Sequence, residues 1–310
     1  RKVIFATNIA ETSLTIDGVR VVVDSGLARR ARFDQAAGVT RLVTERASLS
    51  AATQRAGRAA RQEAGVAYRL WEEAGNGGLP PFDPPEILES DLAPLLLDCA
   101  RWGEYDPAKL RWLDAPPAAA VQQAHKLLMS VEALDAQGRI TAHGTTLANL
   151  PLPPNLAHMV ATAAHSGQAE DAAILAVLLQ ERGLGGQSED IDTRFERFTR
   201  ERGPKAEAAR KLAQRIARLC NDKGRGEPLS IGGLIATAFP ERVAKRRDAK
   251  GEKWISAMGR GLQLDAASPL AREEWLAVAD VQGAASGARI LSAAALTEPE
   301  LIGRFGHRII

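Results

Sequence analysis

The hydrophobic pattern changes character three times along this chain, and that limits its fold more than any other feature. A β-branched stretch, two helical stretches of different texture and a closing set of short strands do not fit one core. The chain therefore divides into several packed pieces. Its 310 residues suit two or three domains of ordinary size.

The first block runs from Arg1 to about Trp71. It opens with an expected strand, Val3 to Ala6, and reaches Val19 to Val23, closed by Asp24-Ser25-Gly26. Such runs suit strands buried on both faces of a parallel sheet. Leu27 to Phe33 and Val39 to Thr44 are spaced to pair as a hairpin across Asp34-Gln35-Ala36-Ala37-Gly38. A short helix from Ser50 to about Ala56, with Ser50 as N-cap, precedes a last strand, Val66 to Leu70. Gly75 to Pro85 reads as a Gly/Pro-rich linker. Opening on a strand without an initiator Met, the chain reads as a piece cut inside a domain.

In the second block, about Glu86 to Thr146, Leu88, Leu92, Leu95, Leu96 and Cys99 recur at helical spacing, as do Val121, Ala124, Leu128 and Val131. A turn signal follows at Asp135-Ala136-Gln137-Gly138. Helices followed by a small hairpin suit a winged helix and, equally, a generic small α+β domain. The third block, about Leu147 to Arg225, is helical, with stripes Ile174, Leu175, Leu178, Leu179 and Leu212, Ile216, Leu219, Cys220. Lys211, Arg215 and Arg218 form a basic row beside the second stripe, fitting a nucleic-acid channel or a solvated face alike. In the fourth block, Lys253 to Met258, Gly261 to Leu264, Trp275 to Val281 and Arg289 to Ala293 are short strands punctuated by Gly, Pro and Ser. They suit a small barrel, an OB-fold among the candidates, with Lys245-Arg246-Arg247 at its start and a further strand beginning at Arg308-Ile309-Ile310.

Composition excludes several classes. At 45% hydrophobic and 25% charged the chain is neither disordered nor collagen-like. No run of about 18 apolar residues offers a transmembrane helix, and no secretory signal is present, so a cytoplasmic location is expected. A net charge of +2 makes any nucleic-acid site a local patch rather than a global field. Cys99 and Cys220 lie in apolar helical patterns and read as buried free thiols. The five histidines form no metal-type cluster. His158 and His165, seven apart, read as ordinary structural residues, as Trp102 and Trp112 read as packing residues. Trp254 and Trp275 sit in the expected barrel, where core burial is the default over base stacking.

Two stretches carry chemistry. Ala6-Thr7-Asn8-Ile9-Ala10-Glu11-Thr12-Ser13-Leu14-Thr15-Ile16-Asp17-Gly18 places hydroxyls, an amide and carboxylates after a strand, where open α/β sheets bind ligands. Gln54-Arg55-Ala56-Gly57-Arg58-Ala59-Ala60-Arg61 puts three arginines at spacing three among small residues. A guanidinium is always charged and presents a planar fork to phosphate oxygens, the requirement for an arginine finger. Each stretch alone has an ordinary reading, a capped turn or a solvated basic helix.

Together they resemble motifs V and VI of the DEAH-box helicases of superfamily 2. The expected hairpin lies where that family carries a strand-parting β-hairpin. Cys99-Ala100-Arg101-Trp102-Gly103, Trp112-Leu113-Asp114-Ala115-Pro116-Pro117 and Ala133-Leu134-Asp135 resemble its winged-helix region, and Leu150-Pro151-Leu152-Pro153-Pro154 the start of its ratchet-like domain. The stretch 238–247, Gly259-Arg260-Gly261 and 274–280 resemble its bacterial HrpB branch.

The resemblance implies a multidomain α/β plus α chain. Residues 1–78 would be part of a second RecA-like parallel-sheet domain, 79–146 a winged helix, 147–226 a helical ratchet-like domain and 227–310 a small OB-like β-barrel. It further implies that Thr7 and Asn8 touch the nucleic-acid backbone, and that Ser13, Thr15 and Asp17 face the nucleotide, Asp17 at the ribose. Gln54 would position the attacking water, Arg58 and Arg61 would be the fingers, and Arg55 would be structural. Ala60 and Glu132 depart from the family, which usually has Gly at both places. The sequence contains no G-x-x-x-x-G-K-[ST] and no DEAH tetrapeptide. The expectation is an ATP-dependent helicase acting on single-stranded RNA or DNA, inactive as this chain alone. ATP and Mg²⁺ would be held together with an N-terminal RecA-like domain carrying the Mg²⁺ ligands. The alternative is a non-catalytic nucleic-acid-binding or regulatory module.

Overall fold

The computed structural model describes residues 2–7, 11, 16–34, 39–181, 183–220, 224–283 and 286–306. The chain separates into two compact units: Arg1–Asp91 with Arg111–Pro117, and Leu92–Leu110 with Ala118–Ile310.

In the first unit β1 (Val21–Asp24) pairs in parallel with β4 (Val66–Arg69), Val21 opposite Val66. Between them in sequence come the antiparallel hairpin of β2 (Leu27–Asp34) and β3 (Val39–Arg46), then α1 (Leu49–Gly57). The hairpin is the one expected, longer by a residue or two at its ends. Arg30, its side chain largely buried, pairs with Glu45 at 3.2 Å and also with Asp83. Arg32 reaches Glu45 at 2.7 Å and Glu89 at 2.9 Å. These ion pairs tie the hairpin to Asp83 and Glu89, so the far end of the expected linker, Gly75 to Pro85, is anchored to the first unit, and a 3₁₀ turn at Glu73–Gly78 overlaps its start.

Three sequence expectations fail here for physical reasons. Residues 3–6 form no strand: no neighbour takes their backbone hydrogen bonds among the described residues, and Phe5 is 96% exposed. The β1–β4 pair is not buried on both faces. Val21, Val23, Val66 and Tyr68 are each at least half exposed, because α1 is the one helix packed on these strands among the described residues. The helix is capped by Ser48, whose Oγ accepts from Ala51 N–H at 3.1 Å, not by Ser50. The amides of Leu49 and Ser50 are taken by the carbonyls of Pro80 and Pro81, which lets the helix begin two residues early.

The second unit is helical and then barrel-like. Its helices are α2 (Ala93–Trp102), α3 (Ala118–Ser130), α4 (Ala142–Ala148), α5 (Pro154–Ala163), α6 (Ala169–Gln180), α7 (Ile191–Arg200), α8 (Pro204–Leu219) and α9 (Ile231–Ala238). Between α3 and α4 the expected hairpin shrinks to one bridge, Leu134 to Ile140, over a turn that Asp135 closes by accepting from Gln137 and Arg139 amides. α6 is buried from Ala172 through Leu178 on all sides, and α8 packs along it. The apolar stripe of α8 differs from expectation. Ala206, Ala209, Ala213 and Ile216 are buried, while Leu212 and Leu219 face solvent, because small alanines allow close helix–helix approach.

Five strands close the barrel: β5 (Val243–Arg246), β6 (Lys253–Ser256), β7 (Gly261–Gln263), β8 (Trp275–Gln282) and β9 (Ser286–Ala295). Their order is β5-β6-β7-β9-β8, with β8 returning to β5. β7 and β9 run parallel and the other pairs antiparallel. Trp254 fills the core, its Nε1 donating to Gly251 O at 2.8 Å, as burial by default anticipates. Lys245 and Arg246, read as a basic cluster at the start of the barrel, belong to its first strand, β5. The barrel is tied to the helices through 189–194: Ala293 N–H donates to Glu189 O at 2.8 Å, and Arg194 Nη1 to Ser292 Oγ at 3.3 Å. A last helix, α10 (Glu298–Phe305), follows; 307–310 lie outside the described residues.

Candidate functional site

The two chemistry-bearing stretches meet in the first unit through arginines of α1. Arg55 points from the last turn of α1 between two acids. Its Nε donates to Glu11 Oε1 at 2.7 Å, and its Nη1 to Asp24 Oδ1 at 3.1 Å and Leu27 O at 2.9 Å. Burial works against its charge, but hydrogen bonds to Glu11 and Asp24 outweigh it and raise the pKa further. Glu11 and Asp24 are nearly buried, with side chains 12% and 5% exposed. Arg55 thus locks the first stretch to the end of β1, the structural part expected of it.

Arg58 caps α1 and its Nε donates to Glu11 O at 3.0 Å. Arg61 and Gln54 are exposed, as is Thr7. Asp17 is exposed and its Oδ1 accepts from Gln62 Nε2 at 2.8 Å. Asn8, Ser13 and Thr15 lie outside the described residues. Of the expected site residues, the structure therefore draws Arg58 to the backbone of the first stretch. It links Asp17 to the turn after Arg61 and leaves Gln54 and Arg61 open to solvent. Sequence reasoning assigned no partner to Glu11, Asp24 or Gln62: only the fold brings Glu11 and Asp24 to Arg55, and Gln62 to Asp17 and Gly18.

No family model matches the chain. Curated relatives do. The chain is 42% identical over 308 residues to the ATP-dependent RNA helicase HrpB of Escherichia coli, covering 98% of this chain and 37% of that protein. It is 40% identical over 167 residues to the probable ATP-dependent RNA helicase DHR2 of Saccharomyces cerevisiae, covering 54% of this chain and 23% of that protein. A crystal structure of the E. coli DExH-box NTPase HrpB superposes with a TM-score of 0.81 at 40% identity, over 97% of this chain and 36% of that one. This chain belongs to the HrpB-type DEAH-box helicases. It spans little more than a third of the length of HrpB.

Against the DEAH-box pattern the two departures resolve differently. Glu132 is the one non-glycine residue with positive φ among the described residues, at 57°. It occupies a left-handed turn that the family's usual glycine enters without cost. Ala60 is not in that region, so its methyl group does not strain the approach to Arg61.

Outside the motifs of this DEAH-box chain, other polar features stand apart. Lys211, Arg215 and Arg218 are exposed along α8. His158 pairs with His143, Nδ1 to Nε2 at 2.8 Å, and His165 sits in the 3₁₀ turn after α5. Burial lowers the His143 pKa; nearby Glu132 opposes the shift and His165 adds to it. Trp102 is not a packing residue: at 92% exposure it falls on the face of α2 opposite Ala93, Leu96, Leu97 and Ala100. Cys99 and Cys220 are buried free thiols, as expected. A cavity of about 500 Å³ opens beside α7, lined by Gly185, Gly186, Thr193 and the balanced charges of Glu196, Arg197, Arg200 and Glu201. Among the described residues no group of three His, Cys, Asp or Glu is placed to hold a metal, and no helix is long and apolar enough to cross a membrane.

Proposed function

We propose that this chain is the C-terminal portion of a cytoplasmic ATP-dependent helicase that couples NTP hydrolysis to movement along single-stranded RNA or DNA. The observation that carries this reading is the clasp: arginines of the second stretch grip Glu11 of the first, in a chain 42% identical to an ATP-dependent RNA helicase. The second stretch ends in the exposed Arg61, whose fixed positive charge fits the phosphates of ATP, and the first carries Asp17 just before its end, a carboxylate that fits a ribose hydroxyl. ATP, when bound with Mg²⁺, supplies the phosphoanhydride bond whose cleavage drives the cycle. Arg58 and Arg61 serve as fingers on the γ-phosphate, where such charge is worth roughly 10³–10⁵ in rate. Gln54 orients the water, and Ser13, Thr15 and Asp17 hold the nucleotide. Thr7 and Asn8 hold the nucleic-acid backbone. The Mg²⁺ ligands come from an N-terminal RecA-like domain outside this chain, so the chain alone does not turn over ATP.

In this reading 1–78 belongs to the second RecA-like domain, 79–146 is a winged helix, 147–226 a ratchet-like domain and 227–310 an OB-like barrel. The strand order and the parallel β7–β9 pair support the last assignment. The exposed row Lys211, Arg215 and Arg218 suits phosphate contacts that are tolerant of sequence and weakened by salt. ATPase activity with and without single-stranded RNA tests the proposal on three proteins: this chain, the longer protein containing it, and that protein with Arg61→Ala. Only the longer protein should be active, and Arg61→Ala should remove most of its activity with folding intact. An inert longer protein that still binds RNA would favour the non-catalytic binding module instead.

A further inference from the structure

Gln62 follows Arg61 directly and has no part in the roles above. Its amide makes two bonds at once to the loop that ends the first stretch: Nε2 donates to Asp17 Oδ1 at 2.8 Å, and Oε1 accepts from Gly18 N–H at 3.0 Å. The same turn is fastened on either side. Glu63 pairs with Arg20, and Val66 N–H donates to Arg20 O at 2.8 Å. Gly65 leaves no slack between them, for a Cβ there would fall 2.0 Å from Ala59 O and 2.7 Å from Arg20 O.

We propose that Gln62 is a positioning residue of the nucleotide site, holding the carboxylate of Asp17 and the turn that carries Arg61 as one body. This rests on the assignment of Asp17 to the ribose and Arg61 to the phosphates. The chemistry of the clamp suits an amide. Asp17 can only accept and the Gly18 N–H can only donate, so the bridging side chain must do both. A glutamate would meet Gly18 but set a second negative charge against Asp17. A leucine would leave both groups to water. With Oδ1 held by Gln62, Asp17 keeps a fixed orientation and presents Oδ2 to a ligand hydroxyl. Ribose and γ-phosphate contacts then share one rigid frame, and a shift of one carries the other.

The test uses the longer protein that contains this chain, with RNA-stimulated ATP hydrolysis as the readout. Four proteins are compared: wild type, Gln62→Leu, Asp17→Ala and the double variant. Gln62→Leu should lower kcat/KM for ATP about tenfold, the scale of a lost hydrogen bond to a charged group. KM should rise more than kcat falls. Because Gln62 acts through Asp17, the double variant should be no worse than Asp17→Ala alone. Gln62→Glu adds a readout that a merely structural role would not move. Its defect should stay at full size from pH 8 down to about pH 6 and shrink only as the pH falls towards about 4.5, where an exposed glutamate gains its proton and regains a donor. Both side chains are exposed, so the variants should melt within a few degrees of wild type. Losses that multiply in the double variant would overturn the proposal, as would a Gln62→Leu protein within twofold of wild type beside a crippled Asp17→Ala. If Asp17→Ala is itself unimpaired, the ribose assignment fails first, and the role of Gln62 falls with it.

Discussion

Replacing Arg55 by alanine tests whether the clasp holds the first unit together. The side chain is 15% exposed and sits between carboxylates that are 12% and 5% exposed. Its removal deletes bonds of 2.7, 3.1 and 2.9 Å to Glu11, Asp24 and Leu27 O, and it strands two negative charges away from water. Breaking a largely buried ion pair by deleting one partner costs about 3–5 kcal/mol, most of it the stranded charge. The partial exposure of Glu11 argues for the lower end, about 3 kcal/mol. Arg55→Lys keeps the charge but cannot reach both acids and the carbonyl with one fork, so about 1.5 kcal/mol should be lost. Amide hydrogen exchange followed by mass spectrometry reads this locally, in peptides covering 49–57 and 66–70. Protection there should fall by more than a hundredfold in Arg55→Ala while peptides covering α6 and the barrel keep theirs. A change below fivefold in 49–57 would refute the argument that the clasp, rather than helix packing, fixes this unit.

Three further outcomes follow from other sites. Glu132→Gly should stabilise the second unit by about 1 kcal/mol, read as a higher Tm, because it relieves a left-handed residue at φ 57° while the Thr141 hydroxyl still donates to the residue 132 carbonyl at 2.7 Å. Gly144→Ala should cost at least about 2 kcal/mol in urea unfolding, since its Cβ would fall 2.1 Å from Ala133 O and backbone would have to move. Asp192 has its pKa raised to about 6, by burial first and then by Asp190 and Glu196. Its folded pKa lies above the unfolded value, so the folded state binds the extra proton between about pH 4 and 6, and the charged form costs stability above that window. Asp192→Asn should therefore gain about 1–2 kcal/mol at pH 7, after discounting for partial exposure and for a lost acid in the first turn of α7. It should gain nothing at pH 4.

The sequence made local features plain and tertiary ones obscure. The hairpin was legible because its strands and turn signal are contiguous. The barrel strands were legible because Gly, Pro and Ser punctuate them. The cap of α1 was misplaced by two residues because the carbonyls that settle it belong to Pro80 and Pro81, some thirty residues away. The buried face of α8 was misread because alanines carry it, and leucines draw the eye to the wrong side. Trp102 was assigned to packing on residue type alone, although its spacing from Leu96 and Leu97 already turns it outward. At the site, the arginines announce themselves by spacing three. Their acidic partners have no such signal: Glu11 and Asp24 lie 44 and 31 residues from Arg55, and no local pattern spans those gaps.

The β1–β4 pair carries a colloidal consequence. Val21, Val23, Val66 and Tyr68 lie open on a pair that, among the described residues, has two strands and unpaired outer edges, the kind of surface that accepts another strand by hydrogen bonding. A net charge of only +2 offers little long-range repulsion to keep two such edges apart. Solutions of this chain should thus scatter more light as they are concentrated, and a lysine placed at Val23 should raise the attainable concentration without moving the melting temperature of the barrel.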